Sequence, residues 1–263
     1  MKKITTLFCC SMLIAMFSCT KVTGVDVTEH FDASQYYYRI EVSDGMVVHV
    51  SDQVSDIVVT TDEGIMPKIK VATSNGVLRI YRKDFSALYV TKTDVQLPYN
   101  QYLEQVTVSY DSEFHANPDY GIQAKKVVVK VNERSKFFGY LCADEIELKV
   151  KSRSETDIDF DAYSNMDIKI EESSQAKLDG YAHTVHLEMN DRSTLEKLWH
   201  GNYYAFMCYY CYGTMNDNCD AYIDCEDEIR MNLTNHCFMH YTSDPNVRES
   251  TIDDTSDFYY EGN

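Results

Sequence analysis

The chain has 263 residues, of which 24 are basic and 42 acidic, for a formal charge of −18. A field of that sign repels phosphate backbones, which excludes nucleic acid as a partner. Hydrophobic residues make up 44%, with four prolines and ten glycines, a composition that supports a packed core and argues against a disordered chain.

The first element in chain order is a leader. Lys2 and Lys3 precede an apolar run from Ile4 to Phe17, too short to span a bilayer as a mature helix, and Ser18-Cys19 follows. The order resembles a bacterial lipoprotein signal, which implies removal of residues 1–18, lipidation of Cys19 and a tether over residues 19–29. One acyl chain holds a protein only marginally, at about 0.8 kcal/mol per buried methylene, whereas two or three hold it stably. An ordinary secretory signal with an incidental Cys19 is the alternative. No later stretch is long and apolar enough to span, so the expectation is a soluble acidic body attached to a membrane through its N-terminal lipid.

Residues 30–102 read as consecutive antiparallel strands and hairpins. "YYYRIEVSDGMVVHVS" gives two alternating segments, Tyr38 to Val42 and Met46 to Ser51, joined across Asp44-Gly45. "DIVVTTDEG" adds a third. Two more flank Asn75-Gly76, the strongest hairpin signal in the chain, and "ALYVTKTDVQLPY" adds another.

Over residues 103–245 a phrase recurs: an alternating apolar segment, a polar corner ending in serine, and a second short alternating segment. The serines are Ser112, Ser135, Ser154, Ser174 and Ser193. Continued at the same interval, the frame falls on Gly213 and His236. Two positions further on lie Phe114, Phe137, Thr156, Ala176, Leu195, Met215 and Phe238, which reads as an inward-facing column. A fixed period near 20 residues marks a solenoid. The leucine ladder of leucine-rich repeats is absent, and pentapeptide or hexapeptide helices have shorter periods. The expected fold is therefore all-β: a right-handed parallel β-helix of about seven irregular rungs of 19–23 residues, preceded by the antiparallel strands. A β-sandwich with chance regularity is the alternative. Residues 246–263 read as an acidic tail or cap.

The segment from Tyr38 to Tyr81 resembles the opening of the autotransporter-adhesin family called the head GIN domain. The matching residues are Val58, Val59, Asp62, Pro67, Ile69 and Lys70, followed by Gly76, Leu78 and Ile80. The family's glycine-led tripeptide falls at Gly45-Met46-Val47, where only the glycine is kept. The resemblance runs over roughly residues 36–240. It implies a β-helical protein, secreted or lipid-anchored, in the cell envelope of a Gram-negative bacterium, with the outer membrane the expected site. It carries over no catalytic residues.

Candidate sites are sparse. Cys208 and Cys211 have Cys-x-x-Cys spacing, but no second pair of that spacing supports zinc. Cys208, Cys211, Cys219 and Cys225, with Cys142 and Cys237, read as buried thiols or one local disulfide. The acidic runs Asn216–Asp220, Asp224–Glu228 and Asp253–Asp257 lack the glycine spacing of calcium loops and read as solvated surface. No cofactor or metal is implied. Tyr203, Tyr204, Tyr209, Tyr210 and Tyr212 are the candidate binding aromatics, for a glycan or a protein ligand, with Tyr36 to Tyr38 and Tyr259-Tyr260 as further clusters. His183, His186, His236 and His240 form no catalytic spacing. The expected function is an adhesin-like binding or scaffold module without catalysis. The alternative is a calcium-dependent polysaccharide lyase using Arg134, Arg153 or Arg192, which recur just before the corner serines.

Overall fold

A computed structural model of the chain describes residues 24–83, 92–117, 119–200, 203–248 and 251–262. The first strands are β1 (Asp26–Phe31), β2 (Arg39–Ser43), β3 (Met46–Ser51), β4 (Ile57–Asp62), β5 (Ile69–Ser74), β6 (Val77–Arg82) and β7 (Thr93–Pro98). Then come β8 (Gln105–Ser109), β9 (Glu113–His115), β10 (Ile122–Val131), β11 (Lys136–Val150), β12 (Glu155–Ile170) and β13 (Gln175–Asn190). The last are β14 (Thr194–Leu195), β15 (Trp199–His200), β16 (Tyr203–Tyr204), β17 (Phe206–Asn216), β18 (Asp220–Thr234), β19 (Phe238–Thr242), β20 (Asn246–Val247), β21 (Thr251–Ile252) and β22 (Asp257–Tyr260). Among the described residues the sole helical element is a 3-10 turn, Met66–Lys68, so the protein is all-β.

Strands of successive coils pair in parallel, and the registers put chemically alike residues above one another. One buried column runs Val95, Val48, Phe114, Phe137, Thr156, Ala176, Leu195, Ala221 and Met239. A second runs Ile80, Val42, Val108, Val131, Val150, Ile170, Met189, Met215 and Leu233. Phe114 and Phe137 stack with ring centroids 5.7 Å apart and planes 4° from parallel. Most residues of the columns thus stack on apolar neighbours, and burying a Val, Leu, Ile, Phe or Met side chain contributes about 1.5–3 kcal/mol.

Between the two columns the chain turns a corner made of two consecutive left-handed residues. The pairs are Asp44-Gly45, Tyr110-Asp111, Glu133-Arg134, Ser152-Arg153, Glu172-Ser173, Asp191-Arg192, Asp217-Asn218 and Asn235-His236. A left-handed residue other than glycine costs about 1–2 kcal/mol. Hydrogen bonds to the next coil offset that cost. The second corner residue donates its N–H to the carbonyl of the first corner residue above it: Arg134 to Ser152 at 3.0 Å, Arg153 to Glu172 at 3.0 Å and Ser173 to Asp191 at 2.8 Å. After each of the five pairs from Tyr110-Asp111 to Asp191-Arg192 comes a fully buried serine, and the hydroxyls of three of them accept the N–H of the serine in the preceding coil: Ser112 to Ser135, Ser135 to Ser154 and Ser154 to Ser174, each at 3.2 Å.

Two sequence expectations need correction. The corner frame does not pass through Gly213 and His236. It passes from Ser193 to Cys219 and Cys237, because the β15–β16 hairpin is inserted in that coil and lengthens it. Gly213 instead lies within β17 opposite Leu187 and Met231, where an added Cβ would fall 1.9 Å from the Leu187 carbonyl oxygen. The inward column accordingly continues with Ala221 and Met239, and Met215 belongs to the second column. At the insertion β13 divides, Gln175 and Ala176 pairing with β14 and the stretch from Gly180 to Asn190 with β17. β18 rejoins both, so these four strands pair round a closed ring.

The strands of the N-terminal region do not form the expected run of consecutive antiparallel pairs either. β5–β6, β1–β4 and β4–β7 are antiparallel. β2 and β3 are not a hairpin, and Asp44-Gly45 is a coil corner: Gly45 donates to the Tyr110 carbonyl at 3.0 Å and to Ser112 Oγ at 3.1 Å. β2 lies between β6 and β8 and β3 between β7 and β9, all in parallel.

At the other end, Asp253 Oδ2 accepts the Asn235 N–H at 2.7 Å, Thr255 Oγ1 accepts that of His236 and Ser256 Oγ that of Cys237. Three side chains thereby occupy the amides of the last left-handed corner, a concavity that favours anionic oxygens. The Asn235 N–H first, and then hydrogen bonds from the Ser256 hydroxyl and from Thr255, hold the Asp253 carboxyl below its ordinary pKa.

Candidate functional site

Outward positions of β13 and β17 gather aromatic and histidine side chains because inward and outward residues alternate along a strand. Ala182 and Cys208 point in as register partners, and Tyr181, His183 and Tyr209 lie on the other face. Tyr209 meets Tyr181 edge-on at 5.8 Å and His183 at 5.6 Å, and it sits where a bulge sets Glu226 and Asp227 opposite it. Tyr210 lies 5.4 Å from His183 and 6.2 Å from Tyr212, and Tyr212 lies 6.1 Å from His186. His186 Nδ1 is 2.9 Å from Asp167 Oδ1. The Arg230 guanidinium stands 5.8 Å from the Tyr212 ring centre, a cation–π contact.

Carboxylates govern this patch. A hydrogen bond to Asp227 is the main cause that raises the Tyr210 phenol above its ordinary pKa. Burial first, and then Glu228, raises that of Tyr212. The result is a rigid, amphipathic surface of Tyr209, Tyr210, Tyr212, His183 and His186 on an acidic ground.

Tyr204 does not join it. Its ring is buried, and its hydroxyl donates to Glu261 Oε2 at 2.6 Å. Lys197 Nζ donates to the same oxygen at 2.6 Å, while His240 Nδ1 lies 2.8 Å from Glu261 Oε1. These bonds, led by that from Lys197, hold the Glu261 carboxyl down at about 2. Tyr204 therefore ties the β15–β16 insertion to the C-terminal strands. Tyr203 lies beside it in β16, paired with His200.

Cys208, Cys211, Cys219 and Cys225 are buried free thiols, as is Cys237. Cys208 and Cys225 are register partners, and Cys219 and Cys237 share the corner column, with Cys219 N–H donating to Cys237 Sγ at 3.4 Å. Burial pushes the Cys208 thiol well above its ordinary value, and the contact with Cys237 does the same for Cys219. Such thiols are poor nucleophiles. Among the described residues no three His, Cys, Asp or Glu side chains converge to hold a metal ion. Cys19 lies outside the described residues.

The corner arginines line a groove of about 460 Å³ in which Arg134, Arg153 and Arg192 alternate with Glu133, Glu172 and Asp191. Arg134 is bidentate to Asp111, both contacts at 2.6 Å. A cleft that joins two members of the Tyr36 to Tyr38 cluster to a loop the sequence did not single out lies beside the first coils, between the loop before β2 and the loop joining β7 to β8. It encloses about 440 Å³, lined chiefly by Tyr36, Tyr37, Tyr99 and Tyr102. Its available signal was "PYNQY" directly after an alternating strand, where Asn100 makes a turn of its own.

The fold resembles solved structures over most of their length. A protein described as a putative adhesin from Parabacteroides merdae aligns with a TM-score of 0.73 at 14% identity, over 92% of this chain and 95% of that one. A protein from Parabacteroides distasonis described as a putative lipid binding protein gives 0.72 at 12% identity, over 90% and 97%. A putative adhesin from the same species gives 0.68 at 15% identity, over 90% and 98%. No curated protein matches the sequence. The family model described as "Putative auto-transporter adhesin, head GIN domain" matches residues 36–197, more than half of the chain, and the protein belongs to that family.

Proposed function

We propose that the protein is a lipid-anchored, adhesin-like binding or scaffold module of the Gram-negative cell envelope, without catalytic activity, held at the outer membrane through Cys19. In this reading the coils over residues 103–245 form a right-handed parallel β-helix of about seven rungs. Parallel strands joined through a crossover take that hand in about 98% of cases. The lipid supplies attachment, and the rigid body presents side chains at fixed spacing, which limits the entropy lost on binding. The observation that carries the reading is the tyrosine–histidine surface on β13 and β17, where Tyr209, His183 and His186 stand exposed beside the half-buried Tyr210 and Tyr212 on a scaffold that cannot fold over them.

Two measurements test it. Mass spectrometry of the N-terminal peptide should find acyl chains on Cys19, and Cys19→Ala should move the protein from the membrane to the soluble fraction. Protease treatment of intact cells, with a periplasmic control protein, should release peptides of the body. An unmodified Cys19, or a body as protected as the control, would overturn attachment or display respectively.

A further inference from the structure

We propose that the tyrosine cleft beside the first coils binds an uncharged saccharide; this names a ligand class for the binding module argued above and rests on that reading. Three features of the cleft lead to it. The first is its lining. None of its eleven lining residues is charged, although 25% of the chain is. A cation would find no carboxylate in the lining, and an acidic sugar would meet no base while facing a body of charge −18. What the cleft does offer is phenol rings and the exposed side-chain amides of Gln35 and Gln101. Aromatic faces for the C–H side of a pyranose, with amides for its hydroxyls, are the complement of a neutral sugar.

The second feature is shape. Tyr36 is 65% exposed and Tyr102 is 55% exposed, and their ring centroids lie 5.7 Å apart with planes at 58°. The two rings form an open corner with separate faces instead of packing flat on each other. The negatively polarised faces attract the polarised C–H bonds of a sugar ring. The volume falls within the range of about 300–1,000 Å³ common for small-ligand sites. An acyl chain would need enclosing apolar walls, whereas this cleft opens to solvent and is edged with amides.

The third feature is rigidity. Tyr37 is buried beside the exposed Tyr36, and burial pushes its phenol up to about 12. Asn100 clamps the opposing loop to it, its Nδ2 donating to the Tyr37 carbonyl at 2.8 Å and its Oδ1 accepting the Tyr102 N–H at 2.9 Å. Tyr99 N–H donates to the Ser51 carbonyl and Glu104 N–H to that of Tyr38, both at 2.9 Å. The rings are therefore placed before a ligand arrives, which removes much of the ordering cost of binding.

The full chain in detergent micelles would be screened on an array of neutral, uronate and sialylated oligosaccharides, with neutral lipid vesicles and a proline-rich peptide as competitors. Bound neutral sugars would then be titrated by calorimetry against Tyr36→Ala, Tyr102→Ala and Tyr163→Ala. Tyr163 is the control, an exposed tyrosine on β12 outside the cleft. Retention of neutral sugars, lost at least tenfold in both cleft variants and kept in the control, is the expected result. The inference is overturned by binding to no glycan, by binding to acidic glycans alone, by vesicles or peptide occupying the cleft in place of sugar, or by an equal loss in Tyr163→Ala. Both cleft rings are exposed, so unchanged circular dichroism is expected to verify folding. A protein that is displayed and lipidated but binds no sugar sinks this inference alone. One that binds sugar through Tyr102 but lacks the lipid sinks the envelope reading instead.

Discussion

From Ser112 to Ser193 the buried corner position is serine in every coil, whereas at 219 and 237 it is cysteine. Both kinds do the same work. Ser154 Oγ accepts the Ser135 N–H at 3.2 Å, and Cys237 Sγ accepts the Cys219 N–H at 3.4 Å. The position requires a short side chain with a lone pair aimed at the amide of the preceding coil, because a buried N–H without a partner is costly. Sulfur meets that requirement with a longer, weaker bond and more apolar bulk. The serine half therefore depends more on hydrogen bonding, and the cysteine half more on packing.

The comparison can be broken hardest through the column beside the serines. Phe137→Ala removes one ring of the Phe114 stack and should cost about 3–5 kcal/mol in urea unfolding. A loss below about 1 kcal/mol would mean that the coils close over the gap and packing there is loose. Ser154→Ala comes next. It strands the Ser135 amide and should cost about 1–3 kcal/mol, with faster hydrogen exchange at that amide. Ser154→Cys should recover most of that loss. Equal effects of alanine and cysteine would show that the ladder's hydrogen bonds contribute nothing. Thr156→Val sharpens the contrast in the opposite direction. The Thr156 hydroxyl is buried without a partner between Phe137 and Ala176, so the apolar isostere should stabilise the fold by about 1 kcal/mol. The smallest effect is local and lies in the cysteine half. The folded-state pKa of Glu261 lies below its unfolded value. Its contribution is thus fully present above pH 4.5 and lost as pH falls through about 2. Amides of β20 to β22 should exchange faster over that interval while those of β11 to β13 stay protected.

How much of this was legible in the sequence follows from the same contrast. The serines, and the column from Phe114 to Leu195, could be read because each coil repeats at nearly constant length. Past Ser193 the β15–β16 insertion breaks the interval, and cysteine does not look like serine to a reader counting a serine frame. Gly213 attracted the frame because glycine suggests a corner, whereas it is there to admit the Leu187 carbonyl. In the N-terminal region local turn chemistry misled, since Asp44-Gly45 suits a hairpin and a left-handed corner equally well. Of the tyrosines, Tyr209, Tyr210 and Tyr212 lie on the exposed patch, but nothing local announces that Tyr204 is buried on Glu261. The facing loops of the cleft lie 63 residues apart at the Asn100–Tyr37 contact, a separation that periodicity does not report.

The placement of β2 and β3 bears on how the chain acquires its fold. This coil precedes the strands on both of its edges in the chain, β6 and β7 on one side and β8 and β9 on the other. It cannot serve as a finished template from which later coils are laid down one at a time. Its pairing is complete only when residues up to 115 are available, and closing so long a loop carries an entropic cost. Assembly would then begin inside the stack and spread toward both ends. The open edges that invite association between chains would be created late, next to the segments that cover them.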